Sequence, residues 1–150
     1  MSSYLTRVVR REIATHVIFE DRNWMAILEP RPLNPGHTVL FPKKETDYIF
    51  DLSERDLATM MRTAKKIAAA IRRAVPCLKI AVLVYGLKVR HAHMHLVPVH
   101  GKKGELDLSR TRKAADTATL EKIARRVRPR RSVLLSTAPL DSPTAKNRAR

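Results

Sequence analysis

The chain has a single cysteine and no long apolar run. Because Cys77 is the only cysteine among 150 residues, no internal disulfide can form. A lone thiol is typical of a reducing compartment, so we expect a cytoplasmic protein. The longest uninterrupted apolar stretch is Ile80 to Tyr85, far short of the roughly 20 residues of a membrane helix. We therefore expect no membrane partner.

Acidic and aromatic residues are also scarce. The 14 Asp and Glu residues face 30 Lys and Arg residues, which gives a formal net charge of +16. Residues 101–150 carry 14 of those basic residues. Charge of this sign attracts polyanions such as nucleotides or nucleic acid. However, one Trp, three Tyr and three Phe are few for stacking on bases, so nucleic-acid binding through the basic C-terminal region is the less favoured interpretation.

The pattern of apolar residues predicts one domain over residues 1–128, followed by a basic, disordered tail over 129–150. Period-two and turn signals predict strands at 16–20, 24–28, 37–41, 80–85 and 89–97. A long apolar stripe predicts a helix from Glu54 to Ala74, and a shorter one a second helix from about 120 to 127. This order favours an α+β fold, with an antiparallel sheet and helices packed on one face.

Three of the six histidines alternate with small or apolar residues at positions 91, 93 and 95. Alternation at period two is typical of a strand with one buried and one exposed face. The sequence thus predicts that the three imidazoles share the exposed face. Ala92, Met94 and Leu96 would then point into the core.

Three neighbouring imidazoles suit either a metal site or chemistry at phosphorus. A zinc site needs three or four converging ligands, and no Asp or Glu occurs between Asp56 and Glu105, although a distant carboxylate could fold into place. A neutral imidazole can instead attack phosphorus while its neighbours donate hydrogen bonds to the phosphate oxygens. The second interpretation is favoured, with His93 as the nucleophile and no metal or other cofactor.

The motif His-Ala-His-Met-His-Leu-Val-Pro at 91–98 resembles the signature of the histidine triad family. Upstream, Ile-Phe-Glu-Asp at 18–21, Ala-Ile-Leu-Glu-Pro at 26–30 and Pro-Gly-His-Thr-Val-Leu-Phe-Pro-Lys-Lys at 35–44 are similar to the opening segment of that family in order and spacing. The resemblance covers roughly residues 7–100. It implies a five-stranded antiparallel sheet with two main helices, and a homodimer.

The same resemblance implies an enzyme that binds a purine nucleotide. It would cleave a P–N or phosphoanhydride bond at the α-phosphate through a nucleotidyl-histidine intermediate and release a nucleoside monophosphate, AMP being the expected product. By motif position His93 is the nucleophile, His91 and His95 orient it and contact phosphate, and His37 supports the cluster.

The resemblance also implies a nucleotide pocket. Glu29 stands where the family usually has an aspartate that holds the ribose hydroxyls. Residues at four apolar positions match the walls of the base pocket: Ile18, Phe19, Ile27 and Val39. Val89, just before the motif, fits the family pattern and is a predicted pocket residue. Leu87 replaces the usual glutamine and an expected asparagine is missing. We expect the charge of Lys88, with Arg90 as the less favoured alternative, to replace the lost polar contacts. The zinc site that some members build from paired cysteines cannot form with Cys77 alone.

Two other functions remain open from the sequence. One is a dinucleoside polyphosphate hydrolase that uses the same nucleophile, and the other is a nucleotide-binding protein with vestigial activity. The motif identifies neither the leaving group nor the base.

Overall fold

The computed structural model describes residues 1–128. The tail predicted at 129–150 lies outside the described residues. Eight regular elements and one short 3₁₀ turn (Ile49–Asp51) form the fold. They are α1 (Tyr4–Val9), β1 (Val17–Glu20), β2 (Trp24–Leu28), β3 (Thr38–Pro42), α2 (Glu54–Ala74), β4 (Lys79–Leu83), β5 (Met94–Val99) and α3 (Thr117–Val127).

The five strands form one antiparallel sheet in the order β1-β2-β3-β5-β4. The predicted α+β class and five-stranded sheet are therefore confirmed. The last connection crosses over, so β5 lies between β3 and β4. This order pairs Val39 on β3 with His95 on β5, which brings two distant parts of the motif pattern side by side.

Helices α2 and α3 cover one face of the sheet. The Ser53 side chain caps α2 by accepting the N–H of Asp56, which stabilises a helix start. The α2 stripe that contains Met60 and Ile67 is buried, and it packs in one cluster with Leu40 and Leu96 of the sheet. The predicted helix from Glu54 to Ala74 agrees with α2 residue for residue.

The opposite face is covered by α1, which the sequence analysis did not predict. Leu5 and Val8 pack against Met25, Val39 and Phe41, so β2 and β3 are buried on both faces. Two predictions are therefore wrong. The helices do not all lie on one face of the sheet, and the face that carries the histidines is not exposed. A six-residue helix with a basic end has too short an apolar stripe to be recognised from periodicity.

The histidine strand is also shorter than predicted. Strand β5 begins at Met94, so only His95 lies on it, while His91 and His93 occupy the irregular segment that leads into it. The ladder between β4 and β5 ends at the pair Leu83 and His95, and the pairing of β5 with β3 ends at Met94, so His91 and His93 have no strand partner among the described residues. Ala92, Met94 and Leu96 point into the core as predicted.

None of the helices formed by residues 1–128 combines the length and the apolar character that crossing a bilayer requires.

Candidate active site

A cavity of about 780 Å³ opens beside the histidine motif, a size that suits a small-molecule ligand. It lies on the α1 side of the sheet, and two motif histidines, His93 and His95, form part of its wall. Five further predicted site residues line it: Ile27, Glu29, Val39, Lys88 and Val89.

Two predicted pocket residues lie elsewhere. Ile18 is buried in the cluster beneath α2 and α3, and Phe19 packs against the same cluster. The register between β1 and β2 shifts between Val17 and Phe19, and such a bulge brings successive side chains to the same side instead of alternating them. The structure therefore does not bring Ile18 or Phe19 to the cavity.

The ring of His93 is held by the backbone. Its Nδ1 lies 2.6 Å from the carbonyl oxygen of His91, and because a carbonyl can only accept, Nδ1 carries the proton. In the neutral ring, Nε2 then keeps its lone pair. A cavity-lining imidazole with its proton fixed on Nδ1 is arranged to act as a nucleophile through Nε2.

His91 is buried behind His93 and connects it to the N-terminal helix. Its Nε2 donates to the carbonyl of Pro42 at 2.7 Å, so Nδ1 is the acceptor for the Ser3 hydroxyl at 2.8 Å. The neighbouring Thr6 hydroxyl donates to the carboxylate of Glu45. With both ring nitrogens bonded, His91 serves to fix the backbone carbonyl that orients His93.

His37 plays a comparable role for His95. Its Nδ1 accepts the backbone N–H of Leu33 at 3.0 Å, which places the proton on Nε2. That Nε2 lies 2.9 Å from Nδ1 of His95 and donates to it. The proton of neutral His95 is consequently on Nε2, where it can be donated to a ligand.

Burial keeps this pair uncharged. Desolvation lowers the pKa of His37 to about 3, with smaller contributions from His95 and the positive charge of Arg112. Desolvation likewise lowers the pKa of His95 to about 4, assisted by His93 and Arg112. Both imidazoles are neutral at pH 7, which is the state that the chain of hydrogen bonds requires.

This arrangement predicts a loss of stability in mild acid. The folded pKa values of His37 and His95 lie below the unfolded value of 6.5, so the unfolded chain binds protons first as the pH falls. Their contribution is fully present above pH 6.5 and decreases as the pH falls toward 4, by up to about 1.4 kcal/mol per pH unit for each ring. Urea unfolding between pH 7 and pH 5 measures the slope. The His37→Gln variant should show a shallower slope, and an unchanged slope would contradict this origin.

Glu29, His37 and His95 also form a possible metal site, because each offers a ligand atom within 4.8 Å of the others. Glu29 is the distant carboxylate that the sequence could not place. Both nitrogens of His37 are already committed, however, since Nδ1 accepts from Leu33 and Nε2 donates to His95. A metal ion would have to replace these bonds, so the donor set present fits it poorly.

Parts of the wall were not predicted from the sequence. Tyr4 and Leu5 of α1 line the cavity on one side, and residues 106–109 together with Arg112 line it on another. Arg112 contributes a positive charge near both His37 and His95. No pattern in residues 101–116 indicates this position, because it results from contacts with residues about 80 positions earlier in the chain.

Comparisons with known proteins agree with the fold. The family model described as HIT domain matches residues 10–102. A solved HIT-like protein from Bartonella henselae is 25% identical, with 85% of this chain and 94% of that chain covered at a TM-score of 0.73. A zinc-bound histidine triad family protein from Mycobacterium smegmatis is also 25% identical, covering 85% and 94% at 0.69. A HIT family hydrolase from Legionella pneumophila is 29% identical, covering 68% and 95% at 0.57.

Proposed function

The chain belongs to the HIT domain family, and from that premise we propose that it is a nucleotide hydrolase or transferase that acts at the α-phosphate of a purine nucleotide. The reaction breaks a P–N or phosphoanhydride bond and releases a nucleoside monophosphate, which we expect to be AMP. The observation that carries this proposal is the fixed tautomer of His93, whose Nδ1 proton is donated to the His91 carbonyl. The hydrolase among the solved relatives supports the reaction class.

In the first step the lone pair on Nε2 of His93 forms a bond to the α-phosphorus. The bond from phosphorus to the leaving group breaks, and its electron pair stays with the leaving nitrogen or oxygen. The positive charge that develops on the ring is stabilised by the His91 carbonyl, which accepts the Nδ1 proton. The Nε2–H of His95 can donate a hydrogen bond to a phosphate oxygen. A leaving amine takes its proton from the solvent.

In the second step water attacks the phosphorus of the nucleotidyl-histidine. The N–P bond breaks, its electron pair returns to Nε2 of His93, and the proton of the water passes to solvent. The nucleoside monophosphate is released and the neutral imidazole is restored. His91 and His37 never contact the substrate in this scheme, because they orient the two rings that do.

The rest of the nucleotide would lie along the cavity wall. Ile27, Val39 and Val89 provide apolar surface for the base, and Glu29 is the acceptor proposed for the ribose hydroxyls. Lys88 is exposed at the rim, where its charge would assist phosphate binding. These assignments are consistent with the placement of all five residues on the same cavity.

The assay for this function uses adenosine phosphoramidate and diadenosine tetraphosphate as substrates, with and without EDTA. We expect AMP from at least one substrate, at a rate that the chelator does not change. Binding of AMP without turnover of either substrate would favour the nucleotide-binding protein with vestigial activity. Activity that EDTA abolishes and zinc restores would favour a metal-dependent enzyme, which the zinc-bound relative makes worth testing.

We further propose that the protein is a homodimer joined through the β4 side of the sheet. β4 is an edge strand, and apolar side chains on and after it are exposed, including Val82 (48%), Tyr85 (60%) and Leu87 (74%). Such an edge favours pairing with another chain. Sedimentation equilibrium should show a dimer that Val82→Lys weakens. Phe50→Lys, at another exposed apolar position, should leave it intact, and a monomeric wild type would contradict the proposal.

A further inference from the structure

The cavity has a wall that lies beyond the residues matched by the family, 10–102. The start of this wall is fixed by Glu105, which is buried. Its carboxylate accepts the backbone N–H groups of His100, Gly101 and Lys102 at 2.7 to 3.0 Å. It also accepts the side-chain amide of Asn34 at 3.2 Å.

The remainder of the wall is fixed to the connection between β2 and β3. The guanidinium of Arg110 donates to the carbonyl of Leu33 at 2.6 Å, and the N–H of Ala115 donates to Pro30 at 2.9 Å. Between these two contacts lies Arg112. The same connection leads from Glu29 to His37. These contacts therefore fix the position of the wall relative to the histidines of the site.

Arg112 lies on this wall as a cation that has no acidic partner within the described part of the chain. Its guanidinium donates to the carbonyl of Arg31 at 2.8 Å, and it lines the cavity together with His93 and His95. Among residues 1–128, no carboxylate oxygen is within 4.0 Å of it. Its charge also contributes to the lowered pKa of His95. A partly buried guanidinium with donors to spare is suited to a phosphate.

We propose that Arg112 determines specificity for substrates whose leaving group is an anionic phosphate chain. This inference rests on the proposed function and narrows it to nucleoside 5′-phosphoanhydrides. An amine leaving from a phosphoramidate takes up a proton from the solvent and departs without a negative charge. A polyphosphate leaves as an anion: the P–O bond breaks, the electron pair stays on the bridging oxygen, and the guanidinium neutralises that charge without a proton transfer.

The test compares Arg112→Gln with wild type on two substrates that share the same AMP moiety. With diadenosine tetraphosphate, which would release ATP, kcat/KM should fall by about 10- to 100-fold, as expected for loss of a charge-assisted hydrogen bond. With adenosine phosphoramidate it should fall by less than about 3-fold. Arg112→Lys should recover part of the loss on the first substrate.

Arg110→Gln is the matched control, because it removes a neighbouring guanidinium that fixes the same wall but does not line the cavity. The Arg110→Gln substitution should change kcat/KM by the same factor for both substrates. An equal decrease in kcat/KM for both substrates would overturn the inference and show that Arg112 acts only by supporting the wall. No decrease for either substrate would overturn it as well.

A binding measurement separates failure of this inference from failure of the proposed function. If wild type cleaves neither substrate, the proposed function is wrong. Calorimetric titration with ATP and with AMP then decides the role of Arg112. The Arg112→Gln substitution should weaken the binding of ATP by about 10-fold more than the binding of AMP. Equal weakening of the two nucleotides would overturn the inference.

Discussion

His93→Ala should abolish turnover while leaving the protein folded and able to bind nucleotide. We expect kcat to fall by at least about 10⁴-fold, equivalent to roughly 5.5 kcal/mol of transition-state stabilisation. The reason is that, among residues 1–128, neither of the other two motif histidines can replace Nε2 of His93 as the attacking atom. Nδ1 of His95 already accepts from His37, and both nitrogens of His91 are bonded within the protein.

The measurement is AMP release under saturating substrate, accompanied by AMP binding to show that the cavity survives. His16→Ala is the matched control, because His16 contacts Glu121 of α3 and does not line the cavity. Mass spectrometry of the quenched wild-type reaction should detect a nucleotidyl group on the chain, and His93→Ala should lack it. Full activity in His93→Ala would exclude the covalent mechanism.

The second large effect is expected at Gly36, the residue before His37. Its backbone has φ +89°, a conformation that costs an L-residue about 1–2 kcal/mol. A Cβ at this position would lie 2.9 Å from Cγ2 of Val75 and 3.2 Å from Cγ of Pro98, which adds an overpacking cost of about 1–3 kcal/mol. Gly36→Ala should therefore lose about 2–5 kcal/mol of unfolding free energy, a large share of the stability of a typical domain.

Gly86→Ala is the control for Gly36→Ala. Gly86 has φ +70°, but a Cβ there would meet no atom within 4 Å, so only the conformational cost remains. The free energy of unfolding, measured in urea, should be highest for wild type, lower for Gly86→Ala and much lower for Gly36→Ala. Equal losses in the two variants would show that crowding by Val75 and Pro98 does not contribute.

Local sequence patterns were sufficient for most of the regular elements. The apolar stripe and the capping Ser53 defined α2 completely, because these signals depend on neighbours a few residues apart. The β2 strand was predicted with the same bounds for the same reason. Short elements were less accessible: α1 has six residues, and β5 starts at Met94 although the alternating pattern begins earlier.

The same contrast applies to the site. The motif spacing singled out His93 and its two neighbours, and the resemblance added His37 and five further residues of the cavity wall. The sequence could not show which ring nitrogen of each histidine carries the proton, because the tautomer depends on what each nitrogen contacts in the folded protein. The contact between Ser3 and His91 spans 88 positions, and that between His37 and His95 spans 58.

The sequence by itself determined the family and the order of the main elements, and it singled out His93 as the proposed nucleophile, because these are recorded in local periodicity and short motifs. Only the tertiary structure decided which imidazole nitrogen is free, that Ile18 and Phe19 pack away from the cavity, and that Arg112 lines it beside His95. Each of these depends on groups that approach through the sheet order and through loops anchored on distant residues. Such contacts leave no periodic trace along the chain, because their partners are fixed by folding and not by sequence spacing.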